Sequence, residues 1–172
     1  LKLTIMLILN YTINAPMGKA LKKQVCPMLQ NGFLEMNKKV YKAIGAIIIK
    51  NNKILLIKRK NPPLGYACFA GHVDEGETFE KALIREVKEE GNLDITNYKQ
   101  CFEGFIDGKY STNNSGIYHW RLYQCKVKGE LILDKNEAEI AEWFDLEKLK
   151  GIKLGKIWKI LFTKINLLND KN

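Results

Sequence analysis

From Val40 onward the hydrophobic pattern shortens to runs that fit strands. AIGAIIIK and KILLIKR are apolar, β-branched-rich stretches on either side of Asn51-Asn52, which predicts a hairpin with a tight turn. Tyr66 to Gly71 reads as a short strand or loop. After Thr78 there is no Pro or Gly until Gly91, which predicts a helix of about three and a half turns with Thr78 as its N-cap. Ile95 to Ile106 and Ile117 to Val127 read as further strands. The polar loop between them, 107–116, is expected to be mobile and able to close over a substrate. Within Lys148 to Leu168 the spacing of Leu149, Ile152, Ile157, Ile160, Leu161, Ile165 and Leu168 suits one amphipathic helix from about Gly155. Its apolar side is expected in the core or at a homodimer contact.

The helix after Thr78 carries the chemistry. Glu86, Glu89 and Glu90 are three and four positions apart, so they share one arc, and Phe79 and Ala82 extend that arc toward the N-terminus. Carboxylates that continue an apolar stripe lose hydration and repel one another, at several kcal/mol each. A divalent cation compensates this, and hard oxygen donors select Mg²⁺, Mn²⁺ or Ca²⁺ over softer metals. A plain solvated Glu/Lys face is the competing reading of KEE, and the shared arc weighs against it.

Gly71, Glu77, Arg85, Glu86, Val87, Glu89, Glu90 and Leu93 stand at the spacing of the Nudix box, and the stretch Gly71 to Leu93 resembles that motif closely. The departure inside it is Asn92, where the family has Gly. Asn is the non-Gly residue best suited to a left-handed helix end, so an intact motif is expected. RKNPPLGYACFAG resembles the family's approach to the box, with Phe69-Ala70 in place of Pro-Gly. The stretch His119 to Leu149 is similar to its late strands, an acidic loop and a Trp-Phe pair. The likeness covers roughly Val40 to Leu149.

This resemblance implies an α/β (α+β) fold, a Nudix-type α/β/α sandwich with a mixed central sheet and the box helix against it. It implies a metal-dependent hydrolase in which water attacks phosphorus and splits a diphosphate. Glu86, Glu89 and Glu90, with the backbone carbonyl of Ala70, become the expected ligands of Mg²⁺ (or Mn²⁺). Arg85 is expected to orient a glutamate, Glu77 being the candidate partner, through a bidentate fork that Lys lacks. The general base lies in the box, at Glu89, or on a later loop, at Glu137 with Glu139 behind it. Arg59, Tyr66, Phe105, Tyr110 and His119 are the candidates for gripping the rest of the substrate, with Phe69 and Trp120 beside them. The approach to the box resembles ADP-ribose-cleaving members, and GHVDEGE fits nucleoside-triphosphate hydrolases equally well. A nucleoside diphosphate derivative such as ADP-ribose is the favoured substrate, with a (d)NTP, oxidised forms included, as the alternative. The retained carboxylates weigh against a non-catalytic nucleotide-sensing module.

A chain of 172 residues suits one domain, expected at 36–172, with 1–35 as an N-terminal extension. Leu1 to Leu9 is apolar but too short to span a bilayer, and no small-x-small cleavage site follows. Met36 opens the part that resembles a domain, so 1–35 is expected to be poorly ordered or to come from an overextended reading frame. The net charge of +9 comes mostly from dispersed lysines, since only Arg59, Arg85 and Arg121 among the 28 basic residues are arginines. That pattern predicts capture of a polyanionic nucleotide rather than specific nucleic-acid binding. Cys26, Cys68, Cys101 and Cys125 form no CxxC pair and read as buried free thiols of a cytoplasmic protein.

Overall fold

The computed structural model describes residues 39–110 and 116–168. The N-terminal extension, Cys26, the tip of the 107–116 loop and the Tyr110 side chain lie outside the described residues. Seven strands form the sheet: β1 (Val40–Lys50), β2 (Lys53–Arg59), β3 (Gly65–Ala67), β4 (Phe69–His72), β5 (Asp94–Asp107), β6 (Ile117–Lys128) and β7 (Ala138–Asp145). The order β3-β2-β1-β6-β5 runs across it, while β4 pairs with β1 and β7 with β2. The β1–β6 pair is parallel and the others antiparallel, giving a mixed sheet.

Asn51 (φ 51°) and Asn52 (φ 60°) close the β1–β2 hairpin, two left-handed residues whose twist suits adjoining antiparallel strands. Helix α1 (Phe79–Gly91) begins where the Thr78 side chain accepts the Lys81 N–H at 3.2 Å. It ends at Asn92, left-handed at φ 55°, whose N–H returns to Lys88 O at 2.9 Å. Tyr66 to Gly71 resolves into parts of two short strands. The C-terminal helix α2 (Lys156–Lys164) is shorter than its apolar spacing predicts, and a 3₁₀ helix at Leu146–Gly151 precedes it.

Alternation along the strands decides what each helix covers. Lys42 and Arg121 point at the Phe79 ring of α1, while Gly45 and Leu122 meet Trp158 of α2. Since Ile44 pairs with Arg121 and Gly45 with Leu122, the two helices cover opposite faces of the sheet. A Cβ on Gly45 would lie 2.7 Å from Trp158 Cη2 and 2.8 Å from Leu122 Cδ2, so the α2 side closes only over a glycine. Phe79, Ala82, Leu83 and Val87 bury one helix; Ile157, Trp158, Leu161 and Phe162 bury the other. Cys68 and Cys125 are buried free thiols as expected, but Cys101 is exposed, because β5 flanks the sheet with most of its residues open to solvent.

Candidate active site

Strand β4 brings Gly71 under the second half of α1. A Cβ there would sit 1.9 Å from Glu86 Oε1 and 2.0 Å from its Cδ, so the glycine is the space into which that carboxylate folds. One turn on, Glu90 is 6% exposed and its Oε2 accepts the Ala70 N–H at 3.2 Å. Burial pushes its pKa up to about 8, the Glu86 charge adds to the rise, and the Ala70 N–H opposes it. Burial also raises Glu86, against the pull of Arg85. Glu89 faces outward, its side chain 60% exposed.

Arg85 gathers the carboxylates. Its Nε and Nη2 donate to the two oxygens of Glu77 at 3.1 and 2.9 Å, a bidentate fork. Nη1 donates to Glu86 Oε1 at 2.7 Å and to Glu89 Oε2 at 3.1 Å, and Nη2 also reaches His72 O at 2.9 Å. The fork holds the Glu77 carboxyl below its usual range, and the Asp74 N–H assists.

Around these residues lies a cavity of about 460 Å³, with Glu86, Glu89, Glu90, Asp74, Asp134 and Glu137 on its acidic side. Arg59, Ala70 and Gly71 line it as well. The Glu137 loop is anchored to α1 and to the end of β2. Asp134 N donates to Glu90 O at 2.9 Å, Ile132 N to Gly91 O at 3.1 Å, and Lys60 N to Glu137 O at 3.0 Å. The rest of the lining is largely aromatic and apolar: Tyr118, Trp120, Trp158, Ile157 and the Pro62-Pro63 pair.

Of the residues anticipated from sequence, Glu77, Arg85, Glu86, Glu89, Glu90, Ala70, Arg59 and Glu137 are thus assembled in one place. Four others are not. Tyr66 packs its ring on Phe144 at 4.8 Å and hydrogen-bonds Glu142, away from the cavity lining. Phe105 and His119 stack on one another at 4.7 Å on the α1 face of the sheet, where His119 also touches Phe79. Glu139 pairs with Lys58 at 2.5 Å across the β2–β7 ladder. The lining residues His72, Asp74, Tyr118, Asp134 and Trp158 carried no isolated sequence signal, and Trp120 stood only among several aromatic candidates.

The donor chemistry suits a divalent cation: hard oxygens, two of them on side chains withdrawn from water, with like charges raising one another. Among the described residues no three such groups converge into a closed cage, because Arg85 draws Glu86 and Glu89 onto itself. The fit to a metal is therefore one of charge and chemistry, and Glu86, Glu89 and Glu90 are the carboxylates that could hold one.

A mixed sheet between two helices, with this box bent around a glycine beneath it, defines a Nudix domain. The sequence profile of the NUDIX domain matches residues 40–164, and the chain belongs to the Nudix family. Its relatives include the ADP-ribose pyrophosphatase of Methanocaldococcus jannaschii, 41% identical over 113 residues, 62% of this chain and 63% of that protein. The human NAD-capped RNA hydrolase NUDT12 is 29% identical over 139 residues, 76% of this chain and 28% of that protein. The chain thus spans less than two thirds of the length of these curated relatives. Among solved structures, the MutT NUDIX hydrolase of Burkholderia pseudomallei aligns with a TM-score of 0.65 at 25% identity, covering 77% of this chain and 100% of that one. The MutT protein of Methanosarcina mazei Go1 shares the fold with a TM-score of 0.64 at 18% identity, covering 78% and 99%. Among the described residues no helix is long and apolar enough to cross a membrane.

Proposed function

We propose that this protein is a divalent-metal-dependent pyrophosphohydrolase that splits the diphosphate of a nucleoside diphosphate derivative, with ADP-ribose as the favoured substrate. The observation that carries the reading is the pair of shielded carboxylates, Glu86 and Glu90, beside a cavity that also receives Arg59 and Glu137. The archaeal relative named an ADP-ribose pyrophosphatase supports the substrate.

A bound Mg²⁺ or Mn²⁺ would neutralise phosphate charge and acidify a water. Glu86, Glu89 and Glu90 would hold it, released from their present bonds to Arg85 and Ala70 as far as coordination requires. Arg85 keeps Glu77 and the His72 carbonyl in fixed register with the helix. Arg59 lines the cavity and would meet phosphate oxygens. Glu137, anchored through its own carbonyl to Lys60 N, would take the proton of the attacking water, with Glu89 as the alternative base. The water oxygen bonds to phosphorus, the bridging P–O bond breaks, and ADP-ribose yields AMP and ribose 5-phosphate.

The test is a panel of ADP-ribose, NADH, dGTP and its 8-oxo form, each assayed with and without Mg²⁺ or Mn²⁺. The expected result is metal-dependent AMP release with the highest kcat/KM on ADP-ribose. Preference for a triphosphate would replace the substrate assignment, and turnover indifferent to chelator would overturn the metal assignment.

A further inference from the structure

Three consecutive carbonyls of the loop that carries Glu137 accept hydrogen bonds from one dipeptide. Lys60 N donates to Glu137 O at 3.0 Å, Asn61 Nδ2 to Asn136 O at 3.1 Å, and Lys60 Nζ to Lys135 O. The first of these continues the β2–β7 ladder, whose last pair is Arg59 with Ala138. The ladder cannot run on through the backbone alone, because Pro62 follows Asn61 and has no N–H to give. Side chains take over: the Asn61 amide and the Lys60 ammonium reach the next two carbonyls.

The same dipeptide is tied to the cation of the site. Arg59 Nε donates to the Asn61 backbone carbonyl at 3.3 Å, and Arg59 lines the cavity as Asp134 and Glu137 do. Asp134 supports the loop from within. Its N–H goes to Glu90 O at 2.9 Å, and its carboxylate Oδ1 accepts the Asn136 N–H at 2.9 Å. Its carbonyl accepts the N–H groups of Glu137 at 3.2 Å and Ala138 at 3.1 Å. Glu137 is thus seated between α1 on one side and Lys60-Asn61 on the other. Lys60 and Asn61 are exposed and lie outside the cavity lining. Water would satisfy an exposed donor and these carbonyls nearly as well, so the bonds add little to stability. What they restrict is where the loop sits relative to Arg59.

We propose that Lys60 and Asn61 are positioning residues, which hold the 134–137 loop in fixed register with Arg59 so that Glu137 stays within reach of the water attacking a phosphate bound there. Proton transfer needs hydrogen-bond reach, and a misplacement of about 1 Å costs on the order of 100-fold in rate. Two weak exposed bonds therefore matter more to the reaction than to the fold. This rests on the reading of the chain as a diphosphate hydrolase with Glu137 as base, and adds to it two residues outside both the box and the cavity.

The experiment is a double-mutant cycle on the full chain, with metal and the best substrate of the panel above. Asn61→Ala removes the amide and keeps the carbonyl that holds Arg59. It is expected to lower kcat about five- to thirtyfold, with KM changed less than about twofold and Mn²⁺ affinity by calorimetry unchanged. Glu137→Gln is expected to lose about 100-fold in kcat. Added to it, Asn61→Ala should cost less than about twofold more, because the residue acts through Glu137. A residue that serves only the fold would cost the same factor in both backgrounds. Hydrogen exchange reads the loop without turnover: residues 134–138 should exchange about two- to tenfold faster in Asn61→Ala and in Lys60→Met, while α1 stays protected. Should Asn61→Ala fail to fold, the cycle with Lys60→Met decides on the same terms. Equal losses in the two backgrounds, a rise in KM in place of the fall in kcat, full kcat in Glu137→Gln, or unchanged loop exchange overturns the proposal. A wild type that hydrolyses no diphosphate derivative removes the reaction, and the positioning role with it. A wild type that turns over with metal while Asn61→Ala keeps pace leaves the reaction standing and removes the positioning role alone.

Discussion

His119 and Trp120 are consecutive residues of β6, yet the two faces they belong to treat polar groups differently. On the α1 face, His119 Nε2 meets Glu103 Oε1 at 2.7 Å, Tyr123 donates to Glu80 at 2.8 Å, and Arg121 lies over the Phe79 ring at 4.2 Å between Glu80 and Glu103. Arg121 Nε is 3.1 Å from Glu103 with its N–H turned off line, so that contact is one of charge. Glu103 and Glu80 titrate below the usual carboxylate range, held down first by His119 and by Tyr123 respectively. Around the cavity, by contrast, which takes carboxylates from α1 as well as residues from the α2 face of β6, Glu90 and Glu86 are raised by burial, and among the described residues the Trp120 donor has no acceptor. Paired polar groups stabilise the fold they sit in. Shielded groups whose charge or donor the fold does not fully meet are candidates for binding something else.

The sharpest test of that contrast is Glu90→Gln. It removes a shielded charge while keeping shape, and activity is expected to fall more than 100-fold, beyond the loss of an outer hydrogen-bond partner to a metal ligand. Stability should move the other way. Glu90 binds its proton more tightly folded, up to about 8 against a reference of 4.5, so ionisation opposes folding. In the metal-free protein this cost is absent below about pH 4.5, grows as pH rises toward about 8, and is constant above. The wild type is therefore expected to lose Tm from about pH 5 to about pH 8 unless divalent metal is added, and the variant to lose less. Full activity in Glu90→Gln, or a Tm slope identical to wild type, would break the contrast.

A smaller effect is expected where backbone and carboxylate meet. Gly71→Ala places a methyl group 1.9 Å from the present position of Glu86 Oε1, so Glu86 must swing away or β4 must shift. Such crowding costs about 1–3 kcal/mol, readable by urea denaturation. Catalysis should suffer with it, since Glu86 leaves its place between Arg85 and the cavity. A variant as stable and active as the parent would mean that Glu86 works from some other seat.

How much of this could be read beforehand depends on how local the information is. The box was legible because its residues lie on one helix and one turn, and fixed spacing there becomes fixed geometry. Thr78 and Asn92 announced both ends of α1 by their capping chemistry, and Asn51-Asn52 announced the hairpin. The rest of the cavity's lining was not legible, because it is assembled from β1, β4, β6 and α2 by pairing that no local pattern encodes. Period-2 alternation shows that His119 and Trp120 must face opposite ways, but not which way holds the site. That is why His119 and Phe105 stood among the substrate candidates while Tyr118 and Trp158 did not. The end of α2 escaped for a related reason: Ile165 and Leu168 are partly buried beyond the last helical turn, so their spacing mimics a longer helix.

The smallest expected effect concerns Phe105 and His119, which lie outside the cavity lining. Phe105 is 65% exposed and stacks on His119, which in turn is bonded to Glu103, all on the face away from the aromatic wall. Phe105→Ala and His119→Gln should therefore change kcat/KM on ADP-ribose less than twofold, and Phe105→Ala should shift stability within about 0.5 kcal/mol, as surface changes do. His119→Gln loses more, because its ring also packs on Phe79, and that loss should appear in urea denaturation without a matching rise in KM. A rise in KM of about tenfold in either variant would place substrate on the α1 face. The paired cluster would then belong to the binding site, and the distinction between the two faces of β6 would fail.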